Sequence, residues 1–163
     1  MGKMHHLLVE GSDDCHVIWQ LCTLFGVPDK AFFMKKGGEG GLDEVIRRIP
    51  TYLKSSDLRA LGIVTDANAD PQSRWQSISN KLRQEGYEGL PTAPKPDGTI
   101  LLQAGKPVVG VWIWPDNVAC GILEDFLISL ATARDSRLLH RASRVVDQIP
   151  LSNLAPMTTV PGR

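Results

Sequence analysis

The stretch LGIVTDANADP (61–71) changes abruptly from apolar to acidic. Its apolar start is typical of a buried strand, and Asp66, Asn68 and Asp70 follow directly. Asp70 and Pro71 also predict a helix start, because aspartate favours the N-cap and proline the first helical position. The stretch therefore predicts a strand that ends in acids and continues into a helix.

The same succession of a strand and a helix is predicted three times in the first half of the chain. The apolar patterns predict strands at 5–11, 31–38 and 58–68, each followed by a helix, at 13–26, 41–56 and 70–86. Pro50 is expected to bend or break the second helix. Strands that alternate with helices predict an α/β fold, with a mainly parallel, Rossmann-like sheet that carries helices on both faces.

The second half of the chain completes this sheet. Residues 92–117 predict a small hairpin that leads into a strongly apolar last strand, so about four mainly parallel strands are expected. Two helical patterns follow, at 121–134 and 135–149. We interpret residues 1–150 as one domain and residues 151–163 as an irregular tail.

Composition narrows the class of protein. Lysine plus arginine number 18, as do aspartate plus glutamate, so a nucleic-acid contact would need a local basic face. The three cysteines lack CxxC spacing, which favours a reducing compartment over a disulfide framework. No signal peptide and no membrane-spanning run is found in the sequence. We expect a cytoplasmic protein without membrane contact.

Acids follow the predicted strands at the edge where parallel sheets bind ligands. Glu10 ends the first strand, Asp66 ends the third, and Glu124 follows the fourth. Neighbouring strands lie about 4.8 Å apart, so carboxylates at their ends can share one cation. Asp14 can face the same site from the first helical turn, and Asn68 points to the same side as Asp66 while the chain stays extended. An all-oxygen ligand set favours Mg²⁺ or Mn²⁺.

Several of these acids also have a structural interpretation. Asp14 and Asp70 lie where acids cap helices, and Glu124 can equally be a solvated acid of a first helical turn. Glu10 and Asp66 follow apolar strands, where an unpaired carboxylate is costly to bury. We therefore interpret Glu10 and Asp66 as functional residues and keep both interpretations for the others.

Phosphate contacts are predicted beside the acids. Gly37 and Gly38 either form a turn or allow close approach of the backbone to a phosphate. Arg74 is either a surface residue or a further phosphate contact. The basic residues that could flank a nucleic-acid groove are Lys35, Lys36, Arg74 and Lys81.

The motifs VEGSDD (9–14), VTDANAD (64–70) and GILEDF (121–126) resemble, in order and spacing, the Toprim domain, most closely that of OLD-type nucleases and their stand-alone relatives. In that family a glutamate after the first strand and a DxD pair after the third hold divalent metal for phosphodiester chemistry. By resemblance, Glu10 is this glutamate and Asp66 is the first acid of the pair.

The resemblance implies an Mg²⁺- or Mn²⁺-dependent nuclease that hydrolyses or nicks DNA or RNA. It implies catalytic roles for Glu10 and Asp66 and further metal ligation by Asp14 and Glu124. A homodimer is left open. Because the sequence contains no ATPase motif, an ATPase partner would be a separate chain.

The sequence also departs from the Toprim pattern. Asn68 stands where the second aspartate is usual, unless Asp70 takes that role. OLD-type nucleases carry a lysine after the last motif, whereas the last lysine here is Lys106. The alternative function is therefore a degenerate Toprim module that binds nucleic acid or a partner protein without cleaving it.

Overall fold

The computed structural model describes residues 4–38 and 40–131 and residues 140, 141 and 144. The chain divides into two compact units, Met1–Phe126 and Leu127–Arg163. The predicted tail at 151–163 lies outside the described residues, as does most of the predicted helix at 135–149. The strands and the site considered below all belong to the first unit.

One five-stranded sheet organises the first unit. Its strands, in chain order, are β1 (Met4–Val9), β2 (Phe33–Lys36), β3 (Leu58–Asp66), β4 (Thr99–Leu101) and β5 (Val108–Trp114). Their spatial order is β2-β1-β3-β5-β4, with β4 antiparallel at the edge and the other neighbours parallel. The prediction of an α/β fold with a mainly parallel sheet is confirmed. The predicted hairpin consists of β4 and β5, so the last strand is itself one arm of the hairpin.

A helix follows each of the parallel strands β1, β2, β3 and β5. They are α1 (Ser12–Leu24), α2 (Gly41–Leu53), α3 (Pro71–Gln84) and α4 (Leu123–Ser129). The hydrophobic residues of α2 and α3 pack in one core cluster, and those of α1 pack in another. In the part of the chain that the structure describes, none of the helices combines the length and the apolar character needed to cross a membrane.

Successive residues of the central strands enter these two clusters alternately. Leu8 of β1 and Ile63 of β3 pack with α2 and α3, whereas Val9 and Val64 pack with α1. Side chains alternate between the faces of a strand, and a parallel sheet is covered on both faces. This burial explains the apolar runs at 7–9 in β1 and 60–64 in β3.

Of the two effects expected of Pro50, the break is wrong, and the bend stays a prediction. Helix α2 continues through Pro50 to Leu53, and the backbone N–H of Lys54 donates to the Pro50 carbonyl at 3.1 Å. Proline lacks the N–H that would bond to the preceding turn, but Ile49 is fully buried, and Tyr52 packs against the same cluster. Packing on both sides of the proline keeps the last turn helical.

Register brings two predicted site residues to neighbouring positions. Val9 of β1 pairs with Val64 of β3 in parallel orientation. Glu10, which directly follows β1, and Asp66, the last residue of β3, therefore lie at the ends of adjacent strands, at the same edge of the sheet. This is the edge at which α/β sheets bind their ligands.

Candidate functional site

A cleft of about 280 Å³ lies at the carboxyl edge of the sheet. Its lining includes five of the residues predicted from the sequence, namely Glu10, Asp14, Gly38, Asp66 and Glu124. We call it the carboxylate cleft. The structure brings these five residues together around one cleft, and their roles there remain predictions.

Glu10 and Asp66 are joined directly. The backbone N–H of Asp66 donates to Glu10 Oε1 at 3.1 Å. Glu10 Oε2 has no hydrogen-bond partner in residues 4–38 and 40–131, and a Cβ atom built on Gly41 would lie 3.4 Å from it. Gly41 has φ +51°, so glycine both permits this backbone and keeps the space beside Oε2 open.

Asp66 is oriented by the start of α4. The backbone N–H of Leu123 donates to Asp66 Oδ1 at 3.0 Å. Asp66 Oδ2 accepts no hydrogen bond from any residue of the described ranges. In both Glu10 and Asp66, a backbone N–H therefore donates to one carboxylate oxygen, and the other oxygen is left available to bind a ligand.

Asp14 is held by both of its oxygens. Its side chain is only 6% exposed, and Oδ2 accepts from the Gly11 N–H at 2.8 Å. Oδ1 accepts from Trp114 Nε1 at 2.9 Å. The first bond confirms the capping interpretation of Asp14. The second was not predicted, because nothing in the sequence relates Trp114 to a residue a hundred positions earlier.

Burial and crowding change the acidity of the two central carboxyls. Burial is the largest cause that raises the pKa of Glu10, and the charges of Asp66 and Asp14 raise it further. Burial likewise raises the pKa of Asp66, with help from Asp14 and Glu124. Backbone hydrogen bonds and the charge of Arg74 oppose both shifts without cancelling them. The net effect favours protonation or a bound cation.

Asn68 and Asp70 lie outside the lining of the carboxylate cleft. The strand ends at Asp66, and Asn68 has φ +52°, so the expectation of an extended chain through Asn68 is wrong. Asparagine tolerates this left-handed conformation, and two backbone hydrogen bonds with Gly121, of 2.7 and 2.8 Å, stabilise it. Asp70 Oδ1 accepts from the Gln72 N–H at 2.9 Å, which confirms the predicted N-cap of α3.

The two predicted glycines differ in position. Gly38 lines the carboxylate cleft with φ +93°. Gly37 donates its N–H to the Val9 carbonyl at 2.7 Å, and a Cβ atom there would lie 3.1 Å from the Gly41 carbonyl oxygen. Gly37 therefore allows β2 to approach the start of α2 closely.

Two of the predicted cations lie near the acids. Lys36 Nζ donates to the hydroxyl of Ser12, which lines the cleft, at 3.2 Å. Arg74 is half-buried in α3, close enough to lower the pKa of Glu10 and of Asp66, and its guanidinium has no hydrogen bond or ion pair with another described residue. Lys81 instead contacts its own helix.

Within the residues that the structure describes, no group of three or more His, Cys, Asp or Glu side chains is arranged to hold a metal ion. Mg²⁺ usually keeps several waters and uses only one or two carboxylates together with substrate phosphates. Glu10 Oε2 and Asp66 Oδ2 provide such a pair of oxygens. The residues of the carboxylate cleft therefore fit a magnesium site of this open type.

Residues 4–160 match the model of a protein family described as "Protein of unknown function (DUF3226)". The chain belongs to the DUF3226 family. No curated protein and no solved structure matches the chain. Because the description of DUF3226 states no activity, the function has to be inferred from the carboxylate cleft.

Proposed function

We propose that this chain is a Toprim-like protein that hydrolyses or nicks phosphodiester bonds of DNA or RNA with Mg²⁺ or Mn²⁺. The observation that carries the proposal is the pair formed by Glu10 and Asp66. The two acids lie at the ends of adjacent parallel strands, are joined by a 3.1 Å hydrogen bond, and both have a raised pKa. A glutamate after β1 and an aspartate after β3 are the residues that the Toprim resemblance implies.

Glu10 and Asp66 would hold the cation through Oε2 and Oδ2, the oxygens that their backbone hydrogen bonds leave available. When bound, the ion polarises a phosphate oxygen and acidifies a water molecule. Asp14 and Glu124 add negative charge around the same cleft, which attracts the cation. Both oxygens of Asp14 already accept hydrogen bonds, so its main contribution is to support the electrostatics of the site.

Proton transfer is the alternative role of Glu10, in place of binding the cation. Its raised pKa brings the carboxyl closer to neutral pH, where a general base is most effective. Arg74 has a fixed positive charge and five donors, which suit a phosphate that enters between α3 and the acids. Lys36, which contacts Ser12 in the lining of the carboxylate cleft, can bind a second phosphate of the same nucleic-acid strand. These cations let a chain of zero net charge bind a polyanion locally.

The second candidate function is a degenerate Toprim module that binds nucleic acid or a protein without cleavage. Asn68 favours it, because its backbone is fixed by Gly121 and its side chain lies outside the cleft lining. Asp70, the other candidate for the second acid, caps α3. The proposed enzyme therefore has to work without a DxD pair. Association with a second copy or with a separate ATPase remains a prediction.

Nicking of supercoiled plasmid separates these two functions. The native chain should nick it in Mg²⁺ or Mn²⁺ and stop when a chelator is added. Glu10→Gln and Asp66→Asn keep an oxygen acceptor for the backbone N–H and should lower the rate by about 100-fold or more. Glu88→Gln, an exposed acid outside the cleft, is the matched control and should leave the rate unchanged. Nicking that survives chelation would contradict the proposal, and DNA binding without nicking would support the degenerate module.

A further inference from the structure

A second cleft lies at the amino ends of the parallel strands, at the opposite edge of the sheet. It has a volume of about 550 Å³ and lies between the turn that precedes β3 and the turn that precedes β5. Its polar lining contains three cations and two hydroxyl groups, those of Lys54, Arg59, Lys106, Ser55 and Ser56. Acidic side chains are absent from this lining in the described part of the chain. We call it the basic cleft.

Within the described residues, neither Lys54 nor Arg59 is paired with an acid, although the ionised Asp57 lies between them in sequence. In residues 4–38 and 40–131, the side chains of Lys54 and Arg59 have neither an ion pair nor a hydrogen bond. Asp57, the acid closest to them in sequence, accepts a hydrogen bond from the Ser55 hydroxyl. Two long cationic side chains are therefore free to bind an anion.

Lys106 is held in place more firmly. Its ammonium group donates to the Glu85 carbonyl and lies 4.9 Å from the centre of the Tyr87 ring. An ammonium group has three N–H donors, so two of them remain after the carbonyl contact. Lys106 thus lines the cleft, but its ammonium group is held against Glu85 and Tyr87, which lie outside the lining.

A structural role explains only part of this charge. Lys54 is the C-cap of α2, and a helix C-terminus carries about half a negative charge that a nearby lysine stabilises. Lys106 has a similar structural role, because the Glu85 carbonyl that it contacts belongs to the C-cap of α3. Arg59 belongs to β3 and lies at neither helix end. With about half a charge subtracted for each of the two helix ends and one for the ionised Asp57, a net charge of roughly +1 remains around the cleft.

We infer that the basic cleft binds a phosphorylated small molecule of the size of a nucleoside di- or triphosphate. Small-molecule sites are concave and occupy about 300–1,000 Å³, a range that includes this cleft. Arginine binds phosphate oxygens in pairs, lysine adds point charge, and the hydroxyl of Ser56 supplies a neutral donor.

The basic cleft is separate from the carboxylate cleft. Strand β3 begins beside Arg59 and ends at Asp66, and its nine residues span about 26 Å at roughly 3.3 Å per residue. A nucleic acid in the carboxylate cleft would bind at the opposite edge of the sheet. We therefore assign the basic cleft to a small ligand rather than to the nucleic acid.

Isothermal titration calorimetry of the full chain tests this inference with pyrophosphate and ATP, in buffer free of divalent cations. Under these conditions the acids of the carboxylate cleft repel phosphates, so binding reports on the basic cleft. We expect dissociation constants of about 1 mM or lower, weakened at least tenfold in the double variant Lys54→Gln, Arg59→Gln. The double variant Lys30→Gln, Lys95→Gln removes the same charge elsewhere and should bind within about twofold of the native chain.

Three outcomes would overturn the inference: no binding of either ligand, an equal loss in the Lys30, Lys95 control, or cleft-dependent binding of a single-stranded oligonucleotide but not of pyrophosphate or ATP. Melting temperatures show whether each variant is folded. Glu10→Gln should bind both phosphates like the native chain, so failure of the metal site and failure of the basic cleft can be told apart.

Discussion

At the residue scale, backbone N–H groups position the acids of the carboxylate cleft. The Asp66 N–H holds Glu10, the Leu123 N–H holds Asp66, and the Gly11 N–H holds Asp14. Each bond fixes one carboxylate oxygen without adding positive charge. The site therefore keeps strong negative potential, which an incoming cation can neutralise.

The indole groups of Trp112 and Trp114 provide a matched test of this positioning. Trp114 Nε1 donates to Asp14, whereas the buried Trp112 Nε1 has no hydrogen-bond partner among the residues that the structure describes. Trp114→Phe leaves a buried carboxylate oxygen without its donor, which costs about 1–3 kcal/mol in addition to lost packing. Trp112→Phe removes a donor that is already unpaired and should cost only the packing.

Urea unfolding of the two variants measures this difference. We expect Trp114→Phe to be less stable than Trp112→Phe by about 1–3 kcal/mol, or roughly 2–4 °C in Tm for each kcal/mol. Equal stability of the two variants would mean that the bond from Trp114 to Asp14 contributes nothing.

The residues of the carboxylate cleft could be predicted only in part. Glu10 and Asp66 could be found because each acid interrupts an apolar run at a strand end. Asn68 could not be placed, since its left-handed backbone depends on Gly121, which is distant in sequence. The donor role of Trp114 likewise depends on tertiary contact, and its apolar strand indicates only burial.

At the element scale, local signals predicted most of the helices and strands. The acid before α3, the proline at its first position and the apolar spacing within it predicted bounds close to Pro71–Gln84. The predicted break at Pro50 was wrong because the loss of one helical hydrogen bond at the proline is outweighed by the burial of Ile49 and its neighbours. The hairpin was recognised from its turn residues, but which strands form it depends on pairing across the sheet.

Helix α3 offers a test of Asp70 as a cap. Asp70→Ala should lower the free energy of unfolding by about 1 kcal/mol, because the Gln72 N–H loses its acceptor. Asp70→Ser restores a capping oxygen and should return most of that stability. Thermal unfolding measures both changes. If Asp70→Ser were as unstable as Asp70→Ala, the cap would not be the role of Asp70.

At the scale of the whole molecule, the pH dependence of stability should reveal that the ionised forms of Glu10 and Asp66 destabilise the folded chain. Burial raises the pKa of Glu10 and Asp66 in the folded chain, so the native state binds their protons more tightly than the unfolded chain does. Their contribution to stability is fully present below the ordinary carboxyl pKa of about 4 and is lost as pH rises through the raised values.

Without divalent cations, Asp66→Asn should therefore be more stable than the native chain at about pH 8 and close to it at about pH 4. Urea unfolding in the presence of a chelator measures this difference. Glu88→Gln, exposed and outside the cleft, should show no such pH-dependent gain. If the native chain were as stable as Asp66→Asn at both pH values, ionised Asp66 would not destabilise the folded chain.

Binding of Mn²⁺ tests the central claim most directly. Calorimetric titration of the metal-free chain at about pH 8 should show saturable binding, with a dissociation constant of about 1 mM or lower. Asp66→Asn should weaken it at least tenfold, about 1.4 kcal/mol, whereas Asp70→Ser should leave it unchanged. Equal Mn²⁺ affinity in the native chain and in Asp66→Asn, or no Mn²⁺ binding by the native chain, would contradict the account.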